Sequence, residues 1–471
     1  MILLFNPRSA RWKHRLPLSL LSLAAVLEGQ YDYEIVDGNF EADAAGTLAR
    51  IIRQKDIRYL GVTVMPGPQL VEAITITQTL KEQFPHLVVI WGGYFPSLHA
   101  DVVLKSGFVD HVIRGPGEQA FLELLHRLQE NDDAPIVPPS HNSPLPYQRM
   151  DVKRYVGKTC LGTRTISYHS SFGCPFLCGF CAVAAIYKGR WTGKPAAAVV
   201  DDVLWFRHNY DVNAVEFVDN NFFVAEHRTR EIAERLRGSG ITWWGEARPD
   251  TLMEFSDATW RAMRDGGCKM IFFGAESSSD NVLAQMDKGG TQTSDTVLQL
   301  AERMKKFGII PEFSFVLGTP STDVDAQIER DIQYIRRIKT INPQSEIVIY
   351  IYSPVSFDDA GLLRQARQFG FEFPKHLTDW LDPVWRGFDL RKNPHTPWLA
   401  PRHVERIINF ERVLNARYPT VSDIKLKRWQ TGILKTLGAW RYQLGFYAAP
   451  WEIRLVANRL FHYRQPEIEG F

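Results

Sequence analysis

Three cysteines lie within one short stretch, Ser171-Phe172-Gly173-Cys174-Pro175-Phe176-Leu177-Cys178-Gly179-Phe180-Cys181. Their spacing is C-x3-C-x2-C, and the stretch follows a predicted strand and precedes a predicted helix. Thiolates are soft ligands that hold iron–sulfur clusters, and three of them leave one iron of a cubane without a protein ligand. Such an iron can bind and activate a substrate or a cofactor. We therefore predict that Cys174, Cys178 and Cys181 bind a [4Fe–4S] cluster.

A zinc site is the main alternative for these cysteines, with His169 or Cys160 as the fourth ligand. Structural zinc sites usually show paired C-x2-C units or a clear histidine partner, and neither occurs in this sequence. Cys268 lies at the start of a predicted strand, and we interpret it as a packed core residue. A non-catalytic, zinc-stabilised binding protein therefore stays open as a distant alternative to an enzyme.

Length, cysteine content and charge limit the class of protein. A chain of 471 residues exceeds one ordinary hydrophobic core, so we expect two or three domains. Five cysteines, three of them clustered, favour a reducing compartment over a disulfide framework. The net charge of +2 argues against a dedicated nucleic-acid-binding protein. The first residues do not resemble a secretory signal, and no apolar run approaches the roughly 20 residues that span a bilayer, so we expect a cytoplasmic protein.

The chain divides into four segments by its pattern of apolar residues. Residues 1–130 alternate short apolar runs with helical periodicity, which predicts βαβ units and a parallel α/β sheet. Residues 131–158 begin with a stretch rich in Asp, Asn, Pro and Ser, which predicts a linker. Six further βα repeats predict a partial (β/α)6 TIM barrel over residues 159–357, because a closed barrel has eight. Residues 358–471 form an aromatic, basic and mainly helical C-terminal region.

The cysteine spacing, with the aromatic Phe180 before the last cysteine, resembles the signature of radical S-adenosylmethionine (SAM) enzymes. This resemblance implies that the three cysteines bind three irons, and that the fourth iron chelates the amino and carboxylate groups of SAM. One-electron reduction, from a donor such as flavodoxin or ferredoxin, would then yield methionine and a 5′-deoxyadenosyl radical.

Later segments resemble elements of the same family in the expected order. Arg248 and Glu276 would point from strand ends into the barrel, where they would pair with each other or bind the carboxylate and ribose of SAM. A structural ion pair is the alternative role for Arg248. Helix capping is the alternative for Asp219 and Ser277, and an ordinary turn is the alternative for Gly318. The candidate SAM-binding residues are Phe180, Glu216, Asp219, Arg248, Glu276, Ser277 and Gly318.

An α/β domain placed before such a barrel resembles the cobalamin (B12)-binding domain of class B radical SAM enzymes, which implies a Rossmann-like, flavodoxin-type fold and bound cobalamin. The D-x-H-x-x-G motif that supplies a histidine to cobalt is absent, and the nearby His14 does not fit it. We therefore expect cobalamin to bind without a lower histidine; a domain that has lost the cofactor is the alternative. The implied cobalamin-binding residues are Thr63, Val64, Met65, Gly67, Gly92, Gly93, Tyr94, Arg114, Gly115 and Gly117.

The resemblance predicts an enzyme that modifies an unactivated carbon, and two reactions compete. We favour cobalamin-dependent C-methylation over radical oxidative cyclisation or coupling, as in the anaerobic magnesium-protoporphyrin monomethyl ester cyclase. Interleaved aromatic and basic residues in the C-terminal region predict either a helical cap over the barrel mouth or a helix in contact with a membrane surface. Both fit a hydrophobic small-molecule substrate, such as a tetrapyrrole, a polyprenoid or a lipid. No acid or base is assigned.

Overall fold

The computed structural model describes residues 1–9, 14–129, 145–286, 291–356, 361–388, 391–421 and 425–463. Residues 131–144 of the predicted linker lie outside these ranges. Within them, the chain forms two parallel sheets, one short antiparallel hairpin and a helical C-terminal region. The predicted α/β fold class is therefore confirmed.

The N-terminal sheet is parallel, with the strand order β2-β1-β3-β4-β5. Its strands are β1 (Ile2–Asn6), β2 (Tyr33–Asp37), β3 (Tyr59–Thr63), β4 (Val88–Gly92) and β5 (His111–Val112). Its helices are α1 (Leu18–Leu27), α2 (Ala44–Lys55), α3 (Pro68–Gln83), α4 (Tyr94–Leu98), α5 (Ala100–Leu104) and α6 (Glu118–Leu128). Strands β1 and β3 are buried along their whole length, because helices cover both faces of the sheet. The strand order reverses between β1 and β3, and ligands of such sheets bind at the carboxyl edge beside this point.

The second parallel sheet has the strand order β6-β9-β10-β11-β12-β13 and matches the predicted six-unit partial barrel. Its strands, together with the antiparallel hairpin β7–β8, are β6 (Thr165–Tyr168), β7 (Ser171–Gly173), β8 (Trp191–Gly193), β9 (Ala214–Phe217), β10 (Thr242–Ala247), β11 (Cys268–Glu276), β12 (Ile310–Leu317) and β13 (Glu346–Ile351). Its helices are α7 (Ala182–Tyr187), α8 (Ala196–Tyr210), α9 (Glu226–Leu236), α10 (Pro249–Glu254), α11 (Asp257–Asp265), α12 (Asp280–Gln285), α13 (Ser294–Phe307) and α14 (Val324–Ile341).

Burial alternates with a period of two along β10 and along parts of β11 and β12. Outward side chains such as Trp243, Phe273 and Phe313 are fully buried beneath the helices. Glu246 and Glu312, which point to the other face, are partly exposed. Since neighbouring strands align Glu246 with Phe272 and Phe272 with Glu312, these side chains share the concave face. The barrel lumen therefore keeps accessible space and is not filled by apolar side chains.

The C-terminal region comprises α15 (Gly361–Gln368), α16 (Pro383–Arg386), α17 (Pro401–Arg417), α18 (Arg428–Leu444) and α19 (Trp451–Leu455). Before α17, the chain passes the carboxyl end of β12, where Trp398 Nε1 donates to the carbonyl of Gly318 at 2.7 Å. The end of α18 and the segment after it pack against α14, because Arg336 of α14 donates to the carbonyl of Tyr442 and, at 2.6 Å, to the hydroxyl of Tyr447. Within the described ranges, no helix has both the length and the apolar character needed to cross a membrane.

The two sheets turn their carboxyl edges toward each other. Arg15, from the β1–α1 loop, approaches Glu216 of β9 with 3.6 Å between Nη2 and Oε2. A Cβ added at Gly115, after β5, would lie 3.4 Å from the carbonyl oxygen of Ile186 in α7. Near the predicted linker's end, the hydroxyl of Tyr155 donates to Asp37 of β2 at 2.8 Å. These contacts place the N-terminal domain over the mouth of the barrel.

Candidate active site

The three cysteines lie in the loop between β7 and α7, at the carboxyl end of the barrel. Cys174 follows β7 directly, and Cys181 immediately precedes α7. The amide of Cys181 donates to the carbonyl of Cys178 at 3.1 Å, which folds the loop back on itself. Gly173 starts the loop at a φ of 77°, and a Cβ there would lie 2.1 Å from the carbonyl oxygen of Arg190. Only glycine fits this position.

The cysteine side chains are close enough to influence one another. Burial, with a smaller contribution from the neighbouring Cys178 and Cys174 thiols, raises the pKa of the Cys181 thiol to about 12. Arg248 Nη1 donates to Cys178 Sγ at 3.3 Å, and Asn221 Nδ2 lies 3.9 Å from Cys174 Sγ. N–H donors around thiolates tune iron–sulfur clusters, and a coordinated thiol loses its proton. Three clustered sulfurs with donors around them therefore fit a [4Fe–4S] cluster.

The zinc alternative receives no support from its proposed fourth ligands. The carbonyl of Cys160 accepts a hydrogen bond from Lys269, which lies at the amino end of β11, opposite the cysteine loop. The imidazole of His169 is hydrogen-bonded to the backbone of Val218, and burial lowers its pKa. Among the described residues, no three Cys, His, Asp or Glu side chains converge on a single-ion site.

Arg248 joins the cysteine loop to strand β10. Its guanidinium lies over the ring of Phe176, 4.0 Å from the centroid, and Nη2 is 2.7 Å from Asp250 Oδ2. Burial works against ionisation of Asp250, but the hydrogen bonds and charge of Arg248 outweigh it and lower the pKa of the carboxyl group. The ion pair predicted as the structural alternative is therefore present, with Asp250 as the partner. The Arg248 side chain also donates a hydrogen bond from Nη1 to Cys178 Sγ.

Asp219 is buried beneath the cysteine loop and accepts hydrogen bonds from both residues of the preceding turn. The Ser170 amide and hydroxyl donate to it at 2.9 and 3.1 Å, the Ser171 hydroxyl donates at 2.7 Å, and the Ser171 amide also donates. Burial raises the pKa of this carboxyl group, while the seryl donors favour its charged form. Asp219 is therefore a positioning residue for the turn that leads into the cluster loop. Its predicted contact with SAM stays a prediction.

Of the other predicted SAM-binding residues, Glu276, Ser277 and Gly318 lie at strand ends, and Phe180 lies in the cysteine loop. Glu276 ends β11, is buried, and has a φ of 64°, a left-handed conformation that costs energy in a non-glycine residue. The hydroxyl of Ser277 donates to Asp331 of α14 at 3.4 Å, which indicates a structural contact. At Gly318, the close approach comes from Leu399, 2.8 Å from an added Cβ. Phe180 packs against the hydrophobic core.

The lumen carries a group of carboxylates that sequence reasoning did not single out as a unit. Trp244 Nε1 donates to Glu312 Oε2 at 2.9 Å, and Glu216 accepts from Ser167 at 3.5 Å. Burial raises the pKa of Glu246 and of Glu312 to about 7. The sequence pattern that could have revealed this group is the two-residue alternation in β10, which puts Glu246 on the face opposite Trp243 and Ala247.

The predicted cobalamin-binding residues lie in three adjacent loops at the carboxyl edge of the N-terminal sheet. The amide of Val64 donates to the Gly92 carbonyl at 2.9 Å, and the Gly115 amide donates to Ser97 at 3.0 Å. Gly93 has a φ of 98°, which a side chain rarely adopts. The structure therefore brings these loops together and presents their edge toward α7. The loop residues in question are Thr63, Val64, Met65, Gly67, Gly92, Gly93, Tyr94, Arg114, Gly115 and Gly117.

Family models match both halves of this arrangement: the B12 binding domain over residues 16–125 and the radical SAM superfamily over residues 168–335. An uncharacterized methyltransferase of Pyrococcus horikoshii is 26% identical, over 68% of this chain and 73% of its own. The anaerobic magnesium-protoporphyrin IX monomethyl ester cyclase of Synechocystis is 22% identical, over 59% of this chain and 58% of its own. The solved structure of the cobalamin-dependent SAM radical enzyme OxsB matches with a TM-score of 0.70 and 14% identity, over 98% of this chain and 75% of its own, which shows the shared fold.

The chain carries a radical SAM domain with a B12-binding domain before it, and it is an enzyme. Within that class it is similar to the cobalamin-dependent methyltransferases, with cyclases among its relatives. Its cofactors are therefore a [4Fe–4S] cluster, SAM and cobalamin. When bound, the cluster and SAM supply radical chemistry and cobalamin supplies a methyl carrier.

Proposed function

We propose that the protein is a cobalamin-dependent C-methyltransferase that acts on an unactivated carbon of a small molecule bound in the barrel lumen. The observation that carries this proposal is the position of the N-terminal domain. Arg15 reaches from its β1–α1 loop to Glu216 in the lumen, and its β5–α6 loop lies against α7, beside the cluster loop. A methyl carrier on that domain would face a substrate in the lumen.

The lumen supports a more specific proposal about the substrate. Trp244 and Phe272 offer apolar surface, while Glu246 and Glu312 are partly exposed acceptors on the same face. Among the described residues, none donates a hydrogen bond to the Glu246 carboxylate or forms an ion pair with it, so this carboxylate can accept from a ligand. We infer an amphipathic substrate, with the hydrophobic body of a tetrapyrrole, polyprenoid or lipid and a polar group that donates hydrogen bonds to the carboxylates.

The reaction type is tested by product analysis with the reconstituted holoenzyme. The protein, loaded anaerobically with iron, sulfide and cobalamin, is given SAM with a deuterated methyl group, a flavodoxin reducing system and a small-molecule extract of a deletion strain. We expect a product that carries the label, together with S-adenosylhomocysteine and 5′-deoxyadenosine. Cys178→Ala is the inactive control, because it removes a cluster ligand.

Oxidative cyclisation is the second candidate, favoured by the similarity to the Synechocystis cyclase. That reaction would consume substrate and form 5′-deoxyadenosine without S-adenosylhomocysteine and without a labelled product. This outcome would contradict methylation and support the second candidate.

A further inference from the structure

One face of α18 exposes large apolar side chains along its whole length. Trp429, Ile433, Trp440 and Leu444 follow one another at intervals of four, seven and four residues, which places them on a single helical stripe. All four are exposed, and Leu444 is 76% exposed. The opposite face of α18 packs against the rest of the protein, since Leu434, Gly438 and Tyr442 are buried. The stripe is therefore not part of the protein core.

The exposed stripe continues into the segment that follows α18. Phe446 stacks on Trp440 with ring centroids 6.0 Å apart, and Phe461 meets Trp429 edge to face at 5.3 Å. Trp451, in α19, is 68% exposed, and it precedes Glu452, which pairs with Arg441. The Arg441 guanidinium lies 4.9 Å from the centroid of the Trp440 ring, which brings α19 next to the stripe. An apolar patch of this extent on a soluble domain usually marks an interaction site. We call it the C-terminal aromatic surface, defined by Trp429, Ile433, Trp440, Leu444, Phe446 and Trp451.

The exposed charge of residues 425–463, which carry this surface, is mainly positive. The only acidic residue in this range is Glu452, and its carboxylate is held by Arg441, whose Nη2 donates to it at 2.9 Å. The segment itself is therefore cationic. Six exposed basic residues lie in this range: Lys425, Lys427, Arg428, Lys435, Arg454 and Arg459.

We propose that the C-terminal aromatic surface docks the protein on an anionic lipid membrane. Tryptophan rings partition into the headgroup region, and leucine and isoleucine side chains reach the acyl boundary just below it. Lysine and arginine side chains beside them are attracted to anionic lipid over about a Debye length. Charge complementarity selects lipid over a second copy of this chain, because two copies would place their cationic surroundings against each other.

The test measures binding to vesicles and needs no substrate. The holoenzyme is sedimented with vesicles of phosphatidylglycerol and phosphatidylcholine, and with phosphatidylcholine vesicles alone. We expect binding to the anionic vesicles that falls at about 1 M salt, where the Debye length is about 3 Å. Combined Trp429→Ala, Trp440→Ala and Trp451→Ala should lower the partition coefficient about tenfold or more, as should Lys435→Glu with Arg454→Glu.

Matched controls separate docking from general damage. Phe369→Ala removes an exposed aromatic side chain outside the surface, and Lys105→Glu reverses an exposed charge in the N-terminal domain. Both variants should bind vesicles like the wild type. Equal binding to the two vesicle types, or unchanged binding of the triple variant, would overturn the proposal. A wild-type dimer in light scattering that the tryptophan substitutions convert to a monomer would overturn it too, since a second copy would then cover the surface.

Discussion

Two side chains hold the cysteine loop in place through their hydrogen bonds. Arg248 bonds Cys178, stacks on Phe176 and pairs with Asp250, so one guanidinium connects the cluster loop to the barrel. Asp219 orders the turn before the loop through its four seryl donors. Such residues affect the site without being cluster ligands.

Cys178→Ala should abolish cluster binding, because a cubane needs its three thiolate ligands. Anaerobically reconstituted wild-type protein should contain about four irons per chain and absorb in the visible range, and the variant should lose both. Cys160→Ala is the matched control, since Cys160 lies at the opposite end of the barrel. Retention of iron by the Cys178 variant would contradict the assignment.

Glu246→Gln should stabilise the protein above neutral pH. Burial raises the pKa of Glu246 to about 7 in the folded protein, whereas the unfolded chain has the ordinary value near 4.5. The folded state therefore holds more protons between these values, and stability falls as pH rises through this window. Glutamine does not ionise, so Glu246→Gln should raise the free energy of unfolding at pH 8 by on the order of 1 kcal/mol. The melting temperature should therefore rise at pH 8 and stay unchanged near pH 4. Glu254→Gln, which changes an exposed glutamate, is the matched control. Equal melting temperatures of Glu246→Gln and the wild type at pH 8 would contradict the prediction.

At the scale of single elements, backbone conformation decides whether the cluster loop forms. The loop leaves β7 through Gly173, whose φ is positive and whose Cα faces the carbonyl of Arg190. The cysteine loop leads into α7, and the chain then returns in β8, which pairs with β7 in antiparallel fashion. The cysteine spacing therefore depends on one glycine as well as on the cysteines.

Gly173→Ala should disrupt this loop and reduce iron incorporation. A Cβ at this position would lie 2.1 Å from the Arg190 carbonyl oxygen, which adds a collision to the strain of the positive φ. Gly238→Ala is the matched control, because Gly238 has a φ of 76° with nothing within 4 Å of an added Cβ. The control should lose about 1 kcal/mol and keep its iron. Equal iron contents in both variants would contradict this role of Gly173.

At the scale of the whole molecule, the contact between the two sheets is the decisive feature. Gly115 lies against α7, Arg15 against Glu216, and Phe95 of α4 packs on Trp380 with ring centroids 4.8 Å apart. The C-terminal region thus helps to hold the N-terminal domain above the barrel mouth. Cofactors on separate domains could not cooperate without such contacts.

Gly115→Val should weaken cobalamin retention while iron content stays unchanged. The added side chain would press on the Ile186 carbonyl at 3.4 Å and strain a φ of 82°, which displaces the β5–α6 loop. Gly107→Val is the matched control in the same domain, because Gly107 has a φ of 79° with nothing within 4 Å. The measurement is cobalamin absorbance after gel filtration. Equal loss from both variants would show strain alone, and would contradict a role for this contact.

The sequence by itself determined the features that depend on local pattern. Apolar alternation predicted both parallel sheets, and the spacing of Cys174, Cys178 and Cys181 predicted a cluster loop, because ligand spacing is a property of one short segment. The two families were confirmed by comparison. The resemblance also named Arg248 and Asp219 as candidate SAM-binding residues, but not their contacts with Asp250, Cys178 and the seryl turn.

Only the tertiary structure decided contacts between distant segments. It paired Arg248 with Asp250 and Cys178. It also bound Asp219 to the seryl turn before the cysteine loop, and it placed Leu399 beside Gly318. It also gathered Glu246 and Glu312 in one lumen, and joined the segment between α18 and α19 to α14 through Arg336 and Tyr447. The physical reason is that a strand pattern shows which face a side chain takes, whereas its neighbours on that face come from strands and helices far away in the chain.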